Sequence, residues 1–561
     1  MATAALVAQL ERIAARLGAV APVPVQLERP RNPDHGDFAS NLAMMLAKQL
    51  GRPPRQIAGE IVAALDIDEA GIASAEIAGP GFINFRLAAG RVQAGAAAII
   101  RADRSWGRSK TGAGRRVQVE FVSANPTGPL HVAHGRGAAL GDGIASLLEW
   151  TGHEVCREFY VNDAGVQIDR LAESLDARWL ELTGTPTPIP ENGYHGDYLK
   201  ELAATLEHEL GDALRGMPRA ARLRMFRDRA TALLRDEQDA VLREFGVRFD
   251  AYYPETRLYE EGRLEETLDE LRRRDLAFES DGAVWLRTSA WGDDKDRVLV
   301  KSDGSFTYFL PDLAYHMDKA RRGFDHVIDV WGADHHGYVP RMQAALRALG
   351  MPDFLDVEIV QMVRLMRGGT EVKLSKRAGD IITLSDLISE TGPDVARYFF
   401  LMRRGDAQML FDLDLALDHS DKNPVFKVQY AHARMCSIFR KAGVELESVT
   451  AEPDALALLV HATEQELIKQ LVQFPELVER AAAAHAPHMV CDYLEATSGL
   501  VNSWYHAGNP SRNPELAVLV SNDALRSARL CLTRAVQIVL RNGLELLGLS
   551  APERMQREES E

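Results

Sequence analysis

Residues 117–142 read VQVEFVSANPTGPLHVAHGRGAALGD, and this stretch decides the fold of the chain's centre. Its apolar residues alternate over 117–123, which predicts a β-strand. The Asn-Pro and Gly-Pro pairs that follow predict a loop, and the apolar spacing of residues 135–151 predicts a helix. HEVCREFYV (153–161) has the pattern of a second strand. A strand, a helix and a strand with short connections are typical of a parallel sheet.

This unit belongs to a larger core that we place at residues 115–420. Two later apolar runs, HVIDVWG (326–332) and VEIVQMV (357–363), predict further strands of the same sheet. Between the early and late strands lies a charged stretch rich in Arg, Glu and Leu, at about residues 165–275, which predicts a helical insertion. The core is therefore expected to be an α/β domain with helices inserted between its strands.

Two further regions flank the core. Residues 1–110 predict a small α/β domain, with amphipathic helices followed by a strand in AEIAGPGFINFRL (75–87), where Pro80-Gly81 supplies a turn. From residue 423 to 561 the apolar spacing is helical, which predicts an all-helical C-terminal domain. No internal repeat is present in the sequence.

Composition sets limits but leaves the function open. Of the 561 residues, 46% are hydrophobic and 26% charged, which is typical of a soluble globular protein. The four cysteines lie far apart without a CxxC pair, so neither disulfides nor structural zinc are expected, and a reducing cytoplasm fits best. No long apolar run predicts a membrane span. The net charge of −16 argues only weakly against nucleic-acid binding, because binding depends on local charge.

The start of the predicted helix carries two histidines, His131 and His134. Three residues apart, they share one face of the first turn, where unpaired backbone N–H groups attract phosphate. Gly135 permits a close backbone approach. The alternatives are a zinc site, for which no further ligands lie nearby, or two core histidines. Spacing alone leaves these interpretations open.

A family resemblance decides between them. LHVAHG (130–135) resembles the HIGH signature of class I aminoacyl-tRNA synthetases, and VKLSKRAGD (372–380) resembles their KMSKS signature. Each motif alone is weak, but the two occur in the expected order. Two positions depart from the pattern: Ala133 stands where glycine is usual, which affects the surface on which adenine packs, and Leu374 replaces methionine.

The flanking residues are similar to those of arginyl-tRNA synthetases in particular. These segments are SANPTGPLHV after Glu120, YVNDAG (160–165), FLPD (309–312), QYAHAR (429–434) and PDHGDFASNLAMMLAKQL (33–50). The resemblance covers nearly the whole chain. It implies a Rossmann-like parallel-sheet catalytic core, a small N-terminal α/β domain that touches the tRNA elbow, and an all-helical anticodon-binding domain.

The resemblance implies a two-step reaction in which ATP activates arginine as an adenylate and the 2′-hydroxyl of the terminal adenosine of tRNA(Arg) accepts it. Arginine activation is expected to need bound tRNA. The implied catalytic residues, with Mg²⁺ as a further cation, are His131, His134, Lys373 and Lys376. The implied ATP contacts are Pro129, Ala133, Gly135, Gly332, Asp334, His335 and Ser375. Without the family, the Asp-His-His of 334–336 could instead be a metal cluster.

Arginine recognition needs acceptors, because a guanidinium has five donors and no acceptor. By the resemblance, Glu120 and Asn125 hold the α-amino and carboxylate groups, and Glu255, Tyr308 and Asp312 read the side chain. Read without the family, Asp312 is an acid at a helix start, Tyr308 a half-buried aromatic residue and Glu255 a solvated glutamate.

The tRNA contacts implied by the resemblance are Asp37, Phe38 and Asn41 at the elbow, and Tyr430, His432 and Arg434 at the anticodon. The alternative is that the last three only brace a helix. The enzyme is expected to act as a monomer. Two rival functions remain: a related nucleotidyltransferase, which would not need the helical C-terminal domain, and a non-enzymatic tRNA-binding paralogue, which would not need both signatures.

Overall fold

The computed structural model describes residues 4–20, 23–30, 32–163, 165–372, 382–451 and 453–555. Its N-terminal part is a small antiparallel sheet covered by helices. The sheet has the strand order β1-β3-β2, and the β2–β3 hairpin turns at Pro80-Gly81 as predicted. The elements are α1 (Ala4–Arg16), β1 (Phe38–Ser40), α2 (Leu42–Leu50), α3 (Pro54–Ala64), α4 (Ile67–Ala70), β2 (Ile72–Ala78), β3 (Phe82–Leu87) and α5 (Ala89–Ala102).

The centre of the chain contains a parallel sheet with helices and two smaller sheets around it. The elements up to the third strand of this sheet are β4 (Arg116–Glu120), α6 (Val132–Trp150), β5 (Glu154–Val161), α7 (Val166–Leu182), α8 (Tyr198–Arg215), α9 (Arg219–Glu244) and β6 (Ala251–Pro254). Those that follow are α10 (Thr256–Glu260), α11 (Arg263–Arg273), β7 (Ala277–Ser280), β8 (Ala283–Leu286), β9 (Arg297–Val300), α12 (Phe309–Arg321), β10 (His326–Gly332), α13 (Val339–Ala348), β11 (Leu355–Val360), β12 (Val363–Arg367), β13 (Thr370–Glu371), α14 (Leu384–Thr391), α15 (Pro393–Leu401), β14 (Met409–Asp412) and α16 (Leu413–Ala416).

The central sheet has the order β11-β10-β4-β5-β6 and all its neighbouring pairs are parallel. Strand β4 therefore lies between β5, which follows it in the chain, and β10, which comes much later. A crevice opens at the carboxyl edge where the strand order reverses in this way, and ligands of open α/β sheets bind there. The predicted Rossmann-like class is confirmed, and the expected ligand site lies between the ends of β4 and β10.

Three local predictions need correction. The strand predicted over 117–123 ends at Glu120, because the next residues turn out of the sheet. The segment predicted as a helical insertion contains β6, a four-residue edge strand ending in Pro254, which is too short to show a periodicity. The strand predicted over 357–363 is divided between β11 and β12, which belong to different sheets.

The C-terminal part is helical, as predicted. Its helices are α17 (Pro424–Ala442), α18 (Pro453–Leu456), α19 (Ala462–Leu471), α20 (Phe474–Ala483), α21 (His488–Ala507) and α22 (Asp523–Leu546). The side chain of Asn423 accepts from the backbone N–H of Val425 at 3.2 Å and so caps α17. None of the helices in the described ranges combines the length and the apolarity needed to cross a membrane.

The N-terminal and C-terminal parts contact each other directly. Helix α5 packs on α19 and α22. The indole N–H of Trp106 donates to the backbone oxygen of Leu471 at 3.3 Å, and Arg541 donates to Asp103 at 2.7 Å. The two flanking parts of the chain therefore brace each other beside the central sheet.

Candidate active site

The chain leaves β4 through a strained turn. Val122 and Ser123 have φ values of 67° and 39°. A β-branched residue in this left-handed region is rare, and such strain concentrates at functional sites. The turn directs the Ser123 hydroxyl to donate to Oε1 of Glu120 at 2.9 Å and to accept from the backbone N–H of Tyr160 at 3.1 Å. The strained residues thus tie the ends of β4 and β5 together.

The two residues predicted to hold the backbone end of arginine lie at this turn. Oε2 of Glu120 accepts from Lys319 Nζ at 2.7 Å. Burial raises the pKa of the Glu120 carboxyl, and the charge of Lys319 opposes that shift. Asn125 is half-buried and donates to Gln167 at 2.7 Å, while its backbone oxygen accepts from Gln238 at 3.1 Å. Both side chains are held in place by partners that the sequence did not identify.

The predicted histidine pair occupies the start of α6. His131 is the residue before the helix, and its ring stacks on that of His134 with centroids 3.6 Å apart. The backbone N–H of His131 donates to Nδ1 of His134 at 3.3 Å, which leaves Nε2 of His134 to carry the proton. Burial lowers the pKa of His131, and burial together with His131 lowers that of His134 to about 3. The pair can donate hydrogen bonds at neutral pH but does not supply positive charge.

The segment after the KMSKS-like motif docks on this histidine turn. The backbone N–H of Leu384 donates to the oxygen of Leu130 at 2.7 Å, and that of Val132 donates to the oxygen of Ile382 at 3.3 Å. The motif residues Lys373, Ser375 and Lys376 lie outside the described residues. The chain that follows the second signature is therefore hydrogen-bonded to the first.

A cavity of about 760 Å³ opens beside the histidines. It is lined by Asn125, Thr127, Gly128, Pro129, His131, His134, Gly193, Tyr194, His195, Gly196, Asp197, Tyr198 and Gln238. The Tyr198 hydroxyl donates to the oxygen of Thr127 at 2.6 Å, which fixes one wall. Ala133 is half-buried on the same helix start. The volume suits a nucleotide-sized ligand.

Gly135 has a steric role in this helix start. A Cβ there would lie 2.5 Å from Cδ1 of the buried Leu384 and 3.2 Å from the ring of Phe400, whereas a Cβ at Gly137 would meet nothing within 4 Å. The glycine therefore lets α6 approach α14 and α15. It was predicted as an ATP contact, and the structure adds this reason for its small size.

These two glycines form a matched pair for a test. Gly135→Ala is expected to destabilise the protein by about 1–3 kcal/mol through overpacking. Gly137→Ala should stabilise it by about 0.5–1 kcal/mol, because alanine favours a helix interior. Urea unfolding of both variants measures the difference. Equal stability of the two variants would contradict the steric role of Gly135.

Carboxyl and tyrosyl groups cluster beyond the end of β5. Glu255 precedes α10, and Asp312 lies in the first turn of α12, where its Oδ2 accepts from the Tyr338 hydroxyl at 2.5 Å. Burial raises the pKa of Asp312. Burial and the charge of Asp312 raise the pKa of Glu255, and a hydrogen bond from Tyr160 opposes that shift. Two carboxyls with raised pKa values, one of which raises the pKa of the other, form an arrangement that a bound cation would stabilise.

Tyr308 stands at the outer edge of this cluster. It immediately precedes α12 and is 87% exposed. The backbone N–H of Asp312 donates to the backbone oxygen of Tyr308 at 3.4 Å, so the two residues lie one helical turn apart. An exposed ring in this place can close over a ligand held by Asp312 and Glu255.

The residues predicted to contact adenosine lie at the end of β10. Gly332 is the last residue of the strand, and Asp334 and His335 are exposed in the short helical turn that follows. A Cβ at Gly332 would lie 2.6 Å from Oδ1 of Asp334, so the carboxylate folds back over the glycine. In the described part of the chain, no group of three or more His, Cys, Asp or Glu side chains could hold a metal ion.

At the predicted elbow face, two of the three residues make internal contacts. The Asp37 carboxylate accepts from the backbone N–H of Leu87 at 2.7 Å and forms an ion pair with Lys469. Phe38 is 4% exposed, and the Arg29 guanidinium lies 4.5 Å from its ring centre. The structure thus gives both side chains a role inside the protein.

Asn41 is the third elbow candidate. It is half-buried and precedes helix α2 without a side-chain capping bond. Of the two polar candidates, Asp37 and Asn41, Asn41 therefore has the more available side chain.

Of the anticodon candidates, Tyr430 and Arg434 lie on one face of α17. The Arg434 guanidinium lies between the rings of Tyr430 and Tyr505, 4.8 and 4.7 Å from their centres. His432 is 1% exposed; its Nδ1 donates to the oxygen of Pro552 at 2.9 Å and its Nε2 accepts from Gln537 at 2.9 Å. His432 therefore braces the helix, as in the alternative interpretation. Tyr430 and Arg434 are half-buried, and Arg434 also donates to Asn502 of α21 at 2.6 Å.

Comparison with known proteins shows the family of the chain. Three family models match: arginyl tRNA synthetase N terminal domain over 3–87, tRNA synthetases class I (R) catalytic domain over 97–398, and DALR anticodon binding domain over 428–555. The arginine–tRNA ligase of Geobacillus kaustophilus is 48% identical over 534 residues, or 95% of this chain and 94% of that protein. That of Bacillus subtilis is 45% identical over 532 residues, with the same shares.

A solved structure agrees over the full length. The arginyl-tRNA synthetase of Thermus thermophilus superposes with a TM-score of 0.75 at 26% identity, covering 99% of this chain and 100% of that one. Sequence similarity over nearly the whole chain, all three domains and the fold thus agree. The chain belongs to the arginyl-tRNA synthetase family, the class I ligases that charge tRNA with arginine for protein synthesis.

Proposed function

We propose that this chain forms arginyl-adenylate at the carboxyl edge of its central sheet and passes arginine to the 2′-hydroxyl of the terminal adenosine. The observation that carries the proposal is the pair of partly buried carboxyls, Glu255 and Asp312, whose pKa values are both raised. A bound cation that donates several hydrogen bonds would stabilise both carboxylates, and a guanidinium is such a cation.

Arginine lies along the ends of β4 and β5 in this proposal. Glu120 and Asn125 hold the α-amino and carboxylate groups, at the strained turn that fixes both. Asp312 and Glu255 accept from the guanidinium, and Tyr308 closes over it. The position of the reacting carboxylate is then set by residues from three elements, which is how positioning accelerates adenylate formation.

ATP lies on the histidine side of the crevice. Neutral His131 and His134 donate hydrogen bonds to phosphate oxygens at the positive end of α6. Lys373 and Lys376 neutralise the departing pyrophosphate. Mg²⁺ would be carried by the phosphates with few protein ligands, which agrees with the lack of a carboxylate cage in the described ranges. When bound, it neutralises charge on the phosphates.

The remaining contacts complete the nucleotide and tRNA sites. Adenosine is held by Pro129, Ala133, Gly135, Gly332, Asp334, His335 and Ser375. We assign tRNA binding to Asn41 at the elbow and to Tyr430 and Arg434 at the anticodon, with Asp37, Phe38 and His432 supporting them from inside. Residues 1–110, 115–420 and 423–561 are the proposed domains of an enzyme that works as a monomer in the cytoplasm.

The affinity for arginine is expected to fall as the pH is lowered towards the raised pKa values of Asp312 and Glu255. Both carboxyls must be ionised to accept from the guanidinium, so at lower pH a proton competes with arginine. Proton release on binding should therefore grow as the pH falls from neutral towards these raised pKa values. Calorimetry in buffers of different ionisation enthalpy measures it. Binding without proton release across this range would contradict the assignment.

The function as a whole is tested by charging total tRNA with each of the twenty amino acids in turn. Arginine alone should be attached, in the presence of ATP and Mg²⁺. A second test omits tRNA from pyrophosphate exchange, which should then stop if activation needs bound tRNA. Attachment of another amino acid would contradict the specificity for arginine that we propose for Glu255 and Asp312.

A further inference from the structure

Helix α12 carries three polar residues on one face. Two of them, His316 and Lys319, contact residues of the central sheet beside the candidate active site. Asp312, His316 and Lys319 are three or four residues apart and so lie on one side of the helix. Lys319 is fully buried, and its Nζ donates to Oε2 of Glu120 at 2.7 Å and to Oδ1 of Asp329 at 2.8 Å. This one ammonium therefore joins α12 to the end of β4 and to the middle of β10.

His316 makes the second attachment. Its Nε2 lies 2.9 Å from Oδ2 of Asp329, and its Nδ1 donates to the backbone oxygen of Asp312 at 2.7 Å. The two carboxylate oxygens of Asp329 thus contact different residues of α12: Oδ1 contacts Lys319 and Oδ2 contacts His316. We call Asp329, Lys319 and His316 the Asp329 clamp. All three side chains are at least 97% buried.

The charges in this clamp favour a single arrangement. Burial lowers the pKa of Lys319, but Asp329 and Glu120 outweigh it and raise that pKa. Burial raises the pKa of Asp329, but Lys319 and His316 outweigh it and lower that pKa. The ammonium and the Asp329 carboxylate are therefore both ionised, and a buried charge that loses its partner is strongly destabilising. The clamp holds its geometry for that reason.

The clamp connects two carboxylates that contact opposite ends of the substrate in the proposed function. Glu120 accepts directly from Lys319, and Asp312 offers its backbone oxygen to His316. We infer that the Asp329 clamp is a positioning device that fixes the separation between Glu120 and Asp312 and thereby selects amino acids of arginine's length. This inference rests on the proposed roles of those two residues.

The test compares arginine with homoarginine, which is one methylene longer. A fixed pocket discriminates one methylene by about 10- to 200-fold in kcat/KM, and the unmodified enzyme should do so. In Lys319→Met, which keeps the volume and removes the charge, the ratio should fall to within about threefold. A variant that is merely less stable loses activity with both substrates equally, so the ratio separates positioning from a general structural role.

Two milder variants keep the test decisive if Lys319→Met does not fold. Asp329→Asn preserves the shape and an acceptor for Lys319, and His316→Gln preserves the Lys319–Asp329 pair; both should lower the ratio. Arg529→Met is the control, because it breaks a buried ion pair of 2.8 Å with Glu464 in the C-terminal helices and should leave the ratio unchanged.

The outcomes separate this inference from the proposed function. An unchanged ratio in the clamp variants that fold, or no discrimination by the unmodified enzyme, would overturn the inference alone. If Asp312→Asn leaves the KM for arginine unchanged, the proposed guanidinium role of Asp312 fails, and the inference that rests on that role fails with it. A lowered ratio in the clamp variants, with a normal ratio in Arg529→Met, is the result we expect.

Discussion

Asp312→Asn is expected to raise the KM for arginine by on the order of a hundredfold or more, and to change the KM for ATP far less. A desolvated guanidinium needs charged acceptors, and an aspartate can accept two parallel N–H bonds. Asparagine offers one acceptor, no charge and a competing donor. The Tyr338 hydroxyl donates to Oδ2 of Asp312 at 2.5 Å, and this hydrogen bond fixes the orientation of the carboxylate.

The measurement is a separate titration of arginine and of ATP in the variant. Asp303→Asn serves as the control, since Asp303 is an exposed carboxylate in the loop before α12. An arginine KM within about threefold of normal, which is worth under about 1 kcal/mol, would show that Asp312 is not the guanidinium acceptor. Glu255 would then be the next candidate. Citrulline, which lacks the charge, should not be charged onto tRNA by the unmodified enzyme.

His134→Ala and Lys376→Ala should each slow adenylate formation by about a hundredfold or more while leaving the fold intact. His134 presents a neutral donor at the start of α6, and Lys376 belongs to the second signature, whose following residues dock on that helix start. Removing one group that stabilises developing charge typically has an effect of this size.

Pyrophosphate exchange with cognate tRNA present measures the activation step. His208→Ala on α8 is the control, since it removes a histidine from the insertion without touching the helix start. Thermal unfolding should show a cooperative transition in His134→Ala, with a loss of about 0.5–2 kcal/mol because the hydrogen bond at the helix start is removed. Exchange near the normal rate in both active-site variants would show that neither signature contacts the phosphates.

The fold could be predicted where the local pattern is long enough to be decisive. Residues 154–161 and 326–332 form strands as expected, because they are short apolar runs between turn residues. The four residues of β6 are too few to show a period, and the chain leaves β4 early because Val122 and Ser123 adopt positive φ values that no composition predicts.

The site could be predicted only where a signature marks it. Lys319 and Asp329 were missed because a lysine in a helix and an aspartate in a strand have no local pattern that joins them. The burial of Phe38 was missed, and the bracing role of His432 was predicted only as an alternative, since both depend on how separate segments pack together. The family motifs therefore predicted residues for both ends of the proposed site, and tertiary structure was needed to find the buried groups that contact Glu120 and Asp312.

The central claim is that the carboxyls beyond the end of β5 receive the guanidinium. A crystal structure of the protein with arginine bound tests this most directly. We expect guanidinium nitrogens at about 2.7–2.9 Å from the carboxylates of Asp312 and Glu255, the usual distance for charged pairs, with the α-amino group at Glu120. A guanidinium bound elsewhere, for example in the cavity between α9 and β6 that Arg227 and Asp228 line, would contradict the account.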